Sequence, residues 1–306
     1  MRLAVSIPEV FTDGRADPAG IARFLRRAEE LACFESVWDS EQILGRMQTM
    51  EALTLLGFAA ACTERLRLGC AVLVTPLRGP VHLAKELATL DQLSLGRLEI
   101  GVGLGGRANL YPAVGLDPPA RVARFTEGLQ LMKALWTEPS VTFHGRFWHL
   151  EGEAMEPKPI QQPHPPIWIG GGHPNALRRA VELGTGFFGA GGATPPDFGD
   201  QVRTIRQLLE KAGRDPDSFD VAKRVFIAID EDEDRAWRGL AERFRQRYGR
   251  AEGFEASTVW GPPAKCIEAL RQLAAAGAKL VLLQPVYAED EQLERIAAEL
   301  APSLLS

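Results

Sequence analysis

The chain has 306 residues, 45% hydrophobic and 25% charged, with a net charge of −5 and a pI near 5.7. That length holds one large α/β barrel or two modest domains, and it buries a core without disulfide or metal staples. The acidic balance and the lack of any Lys/Arg cluster argue against nucleic acid and anionic membranes as partners. The most apolar stretch, 52–62, is far shorter than the ~20 residues of a membrane-spanning helix. The opening MRLAVSIPEVF carries one basic residue and a strand-like run, unlike a secretion signal. Cys33, Cys62, Cys70 and Cys266 are scattered without a CxxC pair, so four buried, reduced thiols in a cytoplasmic protein are expected.

Apolar strand-like runs then alternate with helical patterns along the whole chain. A strand over 3–7 leads to a helix over 18–33 with Ile21, Phe24, Leu25, Ala28 and Leu31 on one face. A strand over 35–39 leads to a helix over 49–62, and LRLGCAVLV over 66–74 to a helix over 81–93. The run 98–102 precedes an irregular stretch and a helix over 122–136. The strand 166–169 precedes a helix near 175–183, and Phe187-Phe188 sits between Gly186 and Gly189. A helix over 197–212, a strand over 221–229 and helices over 232–248 and 264–275 follow, then a strand over 279–283 and a closing helix over 290–300. Near-continuous apolar strands are those covered on both faces, as in a parallel sheet. About eight βα units in this length predict a (β/α)₈ TIM barrel, with a doubly wound open sheet as the rival. The chain reads as one domain over 1–306, with an irregular insertion at 138–165 between strands four and five. There VTFHGRFWHL suggests a small hairpin around Gly145. The length of that insertion points to a functional or packing role.

In such barrels the site lies at the carboxyl ends of the strands. Read in order, these ends offer Glu9, Asp39 with Ser40, Glu41 and Gln42, then 71–75, 103–107, Gly170, Gly171 and Gly172, 189–192, Asp230 and Gln284. Three ends are glycine-rich, where backbone N–H groups approach a ligand closely and form an anion-binding nest. A helix beginning soon after Gly172 adds a favourable dipole for a phosphate. Any single loop glycine is as well explained by a tight turn; three clustered ends favour a large flat ligand with an anionic tail. GVGLGG over 101–106 matches the GxGxxG dinucleotide pattern, but it runs into Pro112, Pro118 and Pro119 rather than directly into a helix, which rules out a Rossmann fingerprint. Walker A, GxSxG and HExxH motifs are absent, and the five histidines lack metal-ligand spacing, so no metal site is expected. Glu41 is the best-placed carboxylate, with a solvated loop acid as the plainer reading. Trp38 is a candidate pocket wall, although a strand tryptophan more often packs in the core.

The stretch LRLGCAVLVTPLRGPVHLAKELATLDQLSLGRLEIGVGLGG over 66–106 resembles the bacterial luciferase-like monooxygenase superfamily of flavin- and coenzyme F420-dependent oxidoreductases. The resemblance continues through FHGRFWHL, PKPIQQPHPPIWIGGG, ALRRAVELGTGFF and GPPAKCIEALRQLAAAGAKLVLLQP, covering almost the whole chain. It implies a cofactor at the barrel mouth, F420 by closest likeness and FMN as the alternative. It further implies a non-proline cis peptide at Ala71-Val72 beneath the ring and an approach to the ring by Asn109. Ribityl and phosphate contacts are implied for Gly170, Gly171 and Gly172 and for the loop with Gly189, Ala190 and Gly191, and Gly103, at the end of the fourth strand, is a further cofactor-binding candidate. Glu41-Gln42 matches an acid-His pair of many relatives. Here glutamine replaces the histidine, and it takes up no proton near neutrality. Some F420-dependent relatives carry a glutamate where this chain has Gly106.

The leading expectation is hydride transfer between reduced F420 and a small organic substrate, with Glu41 as proton source if burial raises its pKa. The alternative is an FMN-dependent monooxygenase fed by a separate flavin reductase, and a third reading is a cofactor-binding barrel that has lost catalysis. The Ala- and Leu-rich helices after strands two and three suggest a homodimer. Substrate choice is expected to rest on 138–165 and on loops near Pro112 and Trp260.

Overall fold

The computed structural model describes residues 1–11, 14–45, 47–105 and 110–305. Eight parallel strands form its centre: β1 (Arg2–Ser6), β2 (Ser36–Asp39), β3 (Arg67–Val74), β4 (Leu98–Gly103), β5 (Ile167–Gly170), β6 (Gly186–Gly189), β7 (Asp220–Ile229) and β8 (Leu280–Pro285). Each pairs with the next, and β8 pairs back to β1, so the sheet closes into the expected (β/α)₈ barrel. Helices α1 (Pro18–Glu30), α2 (Ala52–Cys62), α3 (Pro80–Leu93), α4 (Arg121–Thr137), α5 (Pro174–Leu183), α6 (Pro195–Lys211), α7 (Glu233–Tyr248), α8 (Pro263–Ala275) and α9 (Glu289–Arg295) surround it.

Alternation along the strands divides the apolar residues into two cores. Leu3, Val5, Leu68, Ile100, Ile167, Val225, Val281 and Leu283 face outward and join the helices' inner faces in one continuous cluster. Ala4, Trp38, Trp168, Phe188, Ala222, Leu280 and Leu282 form a separate cluster inside the barrel. Trp38 is therefore core, fully buried, edge-on to Trp168 at 6.0 Å and to Phe188 at 4.9 Å. Two glycines make room for these indoles: a Cβ at Gly69 would lie 2.4 Å from Trp38, and one at Gly186 would lie 2.7 Å from Trp168. Both indole N–H groups are satisfied, Trp38 Nε1 donating to Ser36 Oγ at 2.8 Å and Trp168 Nε1 to Glu99, which also pairs with Arg67. Aromatic filling and a satisfied ion pair leave no pore through this half.

Several helices begin one or two residues earlier than their apolar pattern, because Pro80, Pro174, Pro195 and Pro263 occupy the first turn, where a missing N–H costs nothing. Two short pieces escaped the sequence pattern: Val259–Gly261 adds to β7 as a parallel strand, and Val10–Phe11 pairs with Gln48–Thr49. Cys70 and Cys266 are buried as expected, whereas Cys33 and Cys62 are only half-buried.

The insertion at 138–165 contains the expected hairpin, Val141–His144 against His149–Glu153. It is pinned to the outside of the barrel. The Glu127 carboxylate of α4 accepts the N–H groups of Phe147 at 2.8 Å and Trp148 at 3.1 Å. Lys158 Nζ donates to the carbonyls of Leu135 and Glu138, and Gln161 hydrogen-bonds the Asp91 carboxylate of α3 through its backbone N–H at 3.0 Å and its side-chain Nε2 at 2.7 Å. Its length serves packing, a point that bears on specificity below.

Candidate functional site

At the carboxyl ends of the strands the barrel opens into a cavity of about 650 Å³, within the usual range for small-molecule sites. Its shape begins with a cis peptide bond between Ala71 and Val72. The β3–β4 register shifts between Cys70 and Leu73, so β3 bulges and Val72 enters the barrel mouth. Three glycines on neighbouring strands permit this. A Cβ would meet the Cys70 carbonyl oxygen at 2.0 Å from Gly101, and Val72 at 2.7 Å from Gly103 and at 3.0 Å from Gly170. Gly103 and Gly170 are thus required first by Val72, and the open backbone facing the cavity follows from that packing.

Of the residues singled out from sequence, Glu41, Gln42, Ala71, Val72, Gly103, Gly170, Gly171, Gly172, Gly189 and Ala190 all line this cavity. Gly191 lies just behind the lining, against Arg224, and Asn109 falls outside the described residues. Gly171 has φ +124°, a conformation that favours glycine, and a Cβ at Gly172 would lie 2.6 Å from Gln201 Nε2. No residue of 138–165 lines the cavity, and Trp260 packs instead on Trp237 at 5.0 Å. The expectation that the insertion sets specificity is corrected accordingly. Leu110, near Pro112, does reach the site.

Glu41 has a different job from the one its position suggested. Its side chain is 2% exposed; one oxygen accepts the Val74 N–H at 2.6 Å and the other accepts from the Arg78 guanidinium. Arg78 also pairs with Glu51 at 2.7 Å, and Glu51 in turn accepts the Thr54 N–H at 2.8 Å and so caps α2. Glu41 therefore clamps the loop after β2 to the strand beyond the bulge. Both of its oxygens are thus engaged in charge-assisted or backbone hydrogen bonds that hold the loop in place. Asp39, one turn of chain earlier, does not line the cavity; burial first, and the charge of Glu9 second, hold its carboxyl well above the usual range.

The side chains missed by sequence reasoning are cationic. Arg179 from α5, Arg224 from β7 and Arg247 from α7 all line the cavity, and among the described lining residues Glu41 is the sole acid. Arg247 donates to Ser40 Oγ at 3.1 Å and stands 3.7 Å from Glu9, whose carboxylate accepts the Ser40 N–H at 2.7 Å. Arg179 Nε is buried without a partner, as is Gln201 Oε1 beside Gly172. Lys223 is 1% exposed and ties β7 to the loop after β6, its Nζ donating to the carbonyls of Ala190 at 2.6 Å and Arg224 at 2.8 Å. Burial, and then the charge of Arg224, lower its pKa to about 7. Beyond Arg247 a second cavity of about 410 Å³ is lined by polar Ser6, Glu9, Arg243 and Gln284 among others.

A cofactor with a flat ring and an anionic tail fits these residues: an apolar floor, an orphaned arginine N–H at one end, and net positive charge throughout. No group of three or more His, Cys, Asp or Glu among the described residues is arranged to hold a metal.

Fold and cavity together define a (β/α)₈-barrel protein with a ligand-sized site at the strand ends. The chain belongs to the luciferase-like monooxygenase family, whose family model matches residues 1–280. It is 33% identical over 215 residues to an F420-dependent glucose-6-phosphate dehydrogenase from Nakamurella multipartita, an alignment covering 67% of this chain and 62% of that protein. It is 31% identical over 195 residues to the FMNH(2)-dependent dimethylsulfone monooxygenase of Pseudomonas putida, covering 63% of this chain and 52% of that one. The chain thus spans less than two thirds of the length of these curated relatives. In fold it superposes on an F420-dependent secondary alcohol dehydrogenase, solved with an F420-acetone adduct, with a TM-score of 0.86 and 20% identity over 99% of this chain and 98% of that one.

Proposed function

We propose that the protein is an oxidoreductase passing hydride between a reduced F420-type deazaflavin and a small organic substrate. The observation that carries this reading is the pairing of the Ala71-Val72 bulge with a cavity whose free charges are cationic. When bound, the deazaflavin supplies a two-electron hydride donor, so the protein has mainly to position it and exclude water. Val72 and Ala71 would support the ring. Gly171, Gly172, the amino end of α5 and Arg179 would hold the anionic tail, where backbone N–H groups, dipole and guanidinium act together. Glu41 keeps the bulge in place through Val74 and Arg78. The polar second cavity across Arg247 gives a small substrate room beside the ring. Hydride transfer to a carbonyl must be matched by a proton at its oxygen; with glutamine at position 42, that proton would come from water reaching the open mouth.

The 31% identity to an FMNH(2)-dependent monooxygenase supports a second reading, in which the ring is FMN delivered reduced by a separate reductase. The two separate in one assay pair. Anaerobic oxidation of reduced F420 by a panel of small ketones and aldehydes supports the first reading. Oxygen uptake that needs both FMN and an added flavin reductase supports the second. Binding without turnover in either assay supports a barrel that has lost catalysis. For assembly we propose a homodimer through α2 and α3, where Phe58 and Leu93 are 38% and 69% exposed.

A further inference from the structure

We infer that Arg224 is the counter-charge for the reduced ring of the bound cofactor, standing on the floor of the cavity beside the Ala71-Val72 peptide with no described carboxylate against it. The inference rests on the reading that this cavity takes a flavin or deazaflavin. On β7, Arg224 falls between Ala222, inside the barrel, and Phe226, whose ring lies 5.5 Å beneath the guanidinium. Among the described residues its guanidinium makes one long hydrogen bond, 3.5 Å to the carbonyl of Ala71. Space is kept for it: a Cβ at Gly191 would lie 3.1 Å from its Nε and 3.3 Å from Nη2.

Three other arginines around the barrel have carboxylates, whereas Arg179 in the same cavity shares with Arg224 the lack of an ion pair among the described residues. Arg67 has Glu99, Arg78 has Glu41 and Glu51, and Arg247 has Glu9. Among the described residues Arg224 has no carboxylate within ion-pair distance, Glu9 acting on it only from further away, and burial pushes its pKa down, a sign of what it costs to keep a guanidinium there. An arginine stays protonated regardless, so the site holds a buried positive charge that the more distant Glu9 offsets only in part against burial and the like charge of Arg247, a costly arrangement that an anionic ligand would complete. A flavin-type cofactor brings two anionic groups. Its tail has a separate set of partners at Gly171, Gly172 and Arg179. Its ring would carry negative charge when reduced, and Arg224 beside Ala71 would favour that reduced form over the neutral oxidised one.

The test compares wild type with Arg224→Met and Arg224→Lys, titrated anaerobically with FMN and with F420, each oxidised and chemically reduced. Arg224→Met is expected to weaken binding of the reduced form about tenfold more than the oxidised form. For a two-electron couple that difference is a midpoint potential about 30 mV more negative. Arg224→Lys, which keeps the charge, should retain most of the wild-type preference. Equal losses for both redox states would make Arg224 a tail contact or a packing residue and overturn the inference, as would no loss at all. If Arg224→Met does not fold, Arg224→Gln carries the same comparison. Failure of the wild type to bind either cofactor is visible before any variant is made, and it counts against the cofactor reading itself.

Discussion

The closed half of the barrel and its open mouth use the same eight strands, yet glycine means opposite things in each. Below, Gly69 and Gly186 vanish under Trp38 and Trp168, and the space they leave is filled by indole. Above, Gly101, Gly103 and Gly170 yield to a smaller group, Val72, and the space left over becomes the cavity. Charge divides the same way. The closed half neutralises Arg67 with Glu99, whereas the mouth, besides paired Arg78 and Arg247, keeps Arg179 and Arg224 without an ion pair among the described residues. One half is built for stability and the other for a ligand that finishes it.

That contrast can be broken by substitution. Trp168→Ala should have the largest effect, about 3–5 kcal/mol of stability, from lost burial and a residual cavity. Urea unfolding measures it, and a variant that still folds should bind cofactor as the wild type does. A small stability loss with abolished binding would place Trp168 in the site and erase the division. Glu41→Ala should cost about 3 kcal/mol, since it leaves Arg78 half-buried and short of a partner. Unlike Trp168→Ala, it should also weaken cofactor binding, because the strand beyond the bulge loses its tie at Val74. The gentlest effect per unit of change is a pH slope. Lys223 gives up its proton near pH 7 when folded and near the ordinary lysine value of 10.5 when unfolded. Between those values the unfolded chain binds one more proton, so stability rises with pH, by at most about 1.4 kcal/mol per unit. Lys223→Met should flatten that rise in thermal melts taken from pH 7 to 10; an unchanged slope would assign it to other groups.

The barrel was legible because its strands are continuous apolar runs and its helices carry one apolar face, and local patterns of this kind survive into the structure. The cavity was half legible. Clustered glycines marked the right strand ends, but their first cause, the passage of Val72, depends on a bulge that composition does not reveal; the likeness to relatives placed it. Glu41 looked like an acid for chemistry because its partner, Arg78, stands 37 residues away in the chain. Arg224 was hidden in plain view within VAKRVFIAI: its inward direction follows from strand alternation, but only once the barrel fixes which face is inside. The insertion misled through its length, which answers to α3 and α4 rather than to the mouth.

The central claim is that the mouth holds one flavin-type ring against Ala71 and Val72. Titrating the cofactor-free protein with FMN and with F420, while following ring fluorescence and its protection from a soluble quencher, tests it most directly. The account predicts saturable uptake of one ring per chain at micromolar concentrations, with the bound ring shielded and Val72→Trp abolishing the uptake. Saturation by neither cofactor, or binding that Val72→Trp leaves untouched in a folded chain, would contradict it.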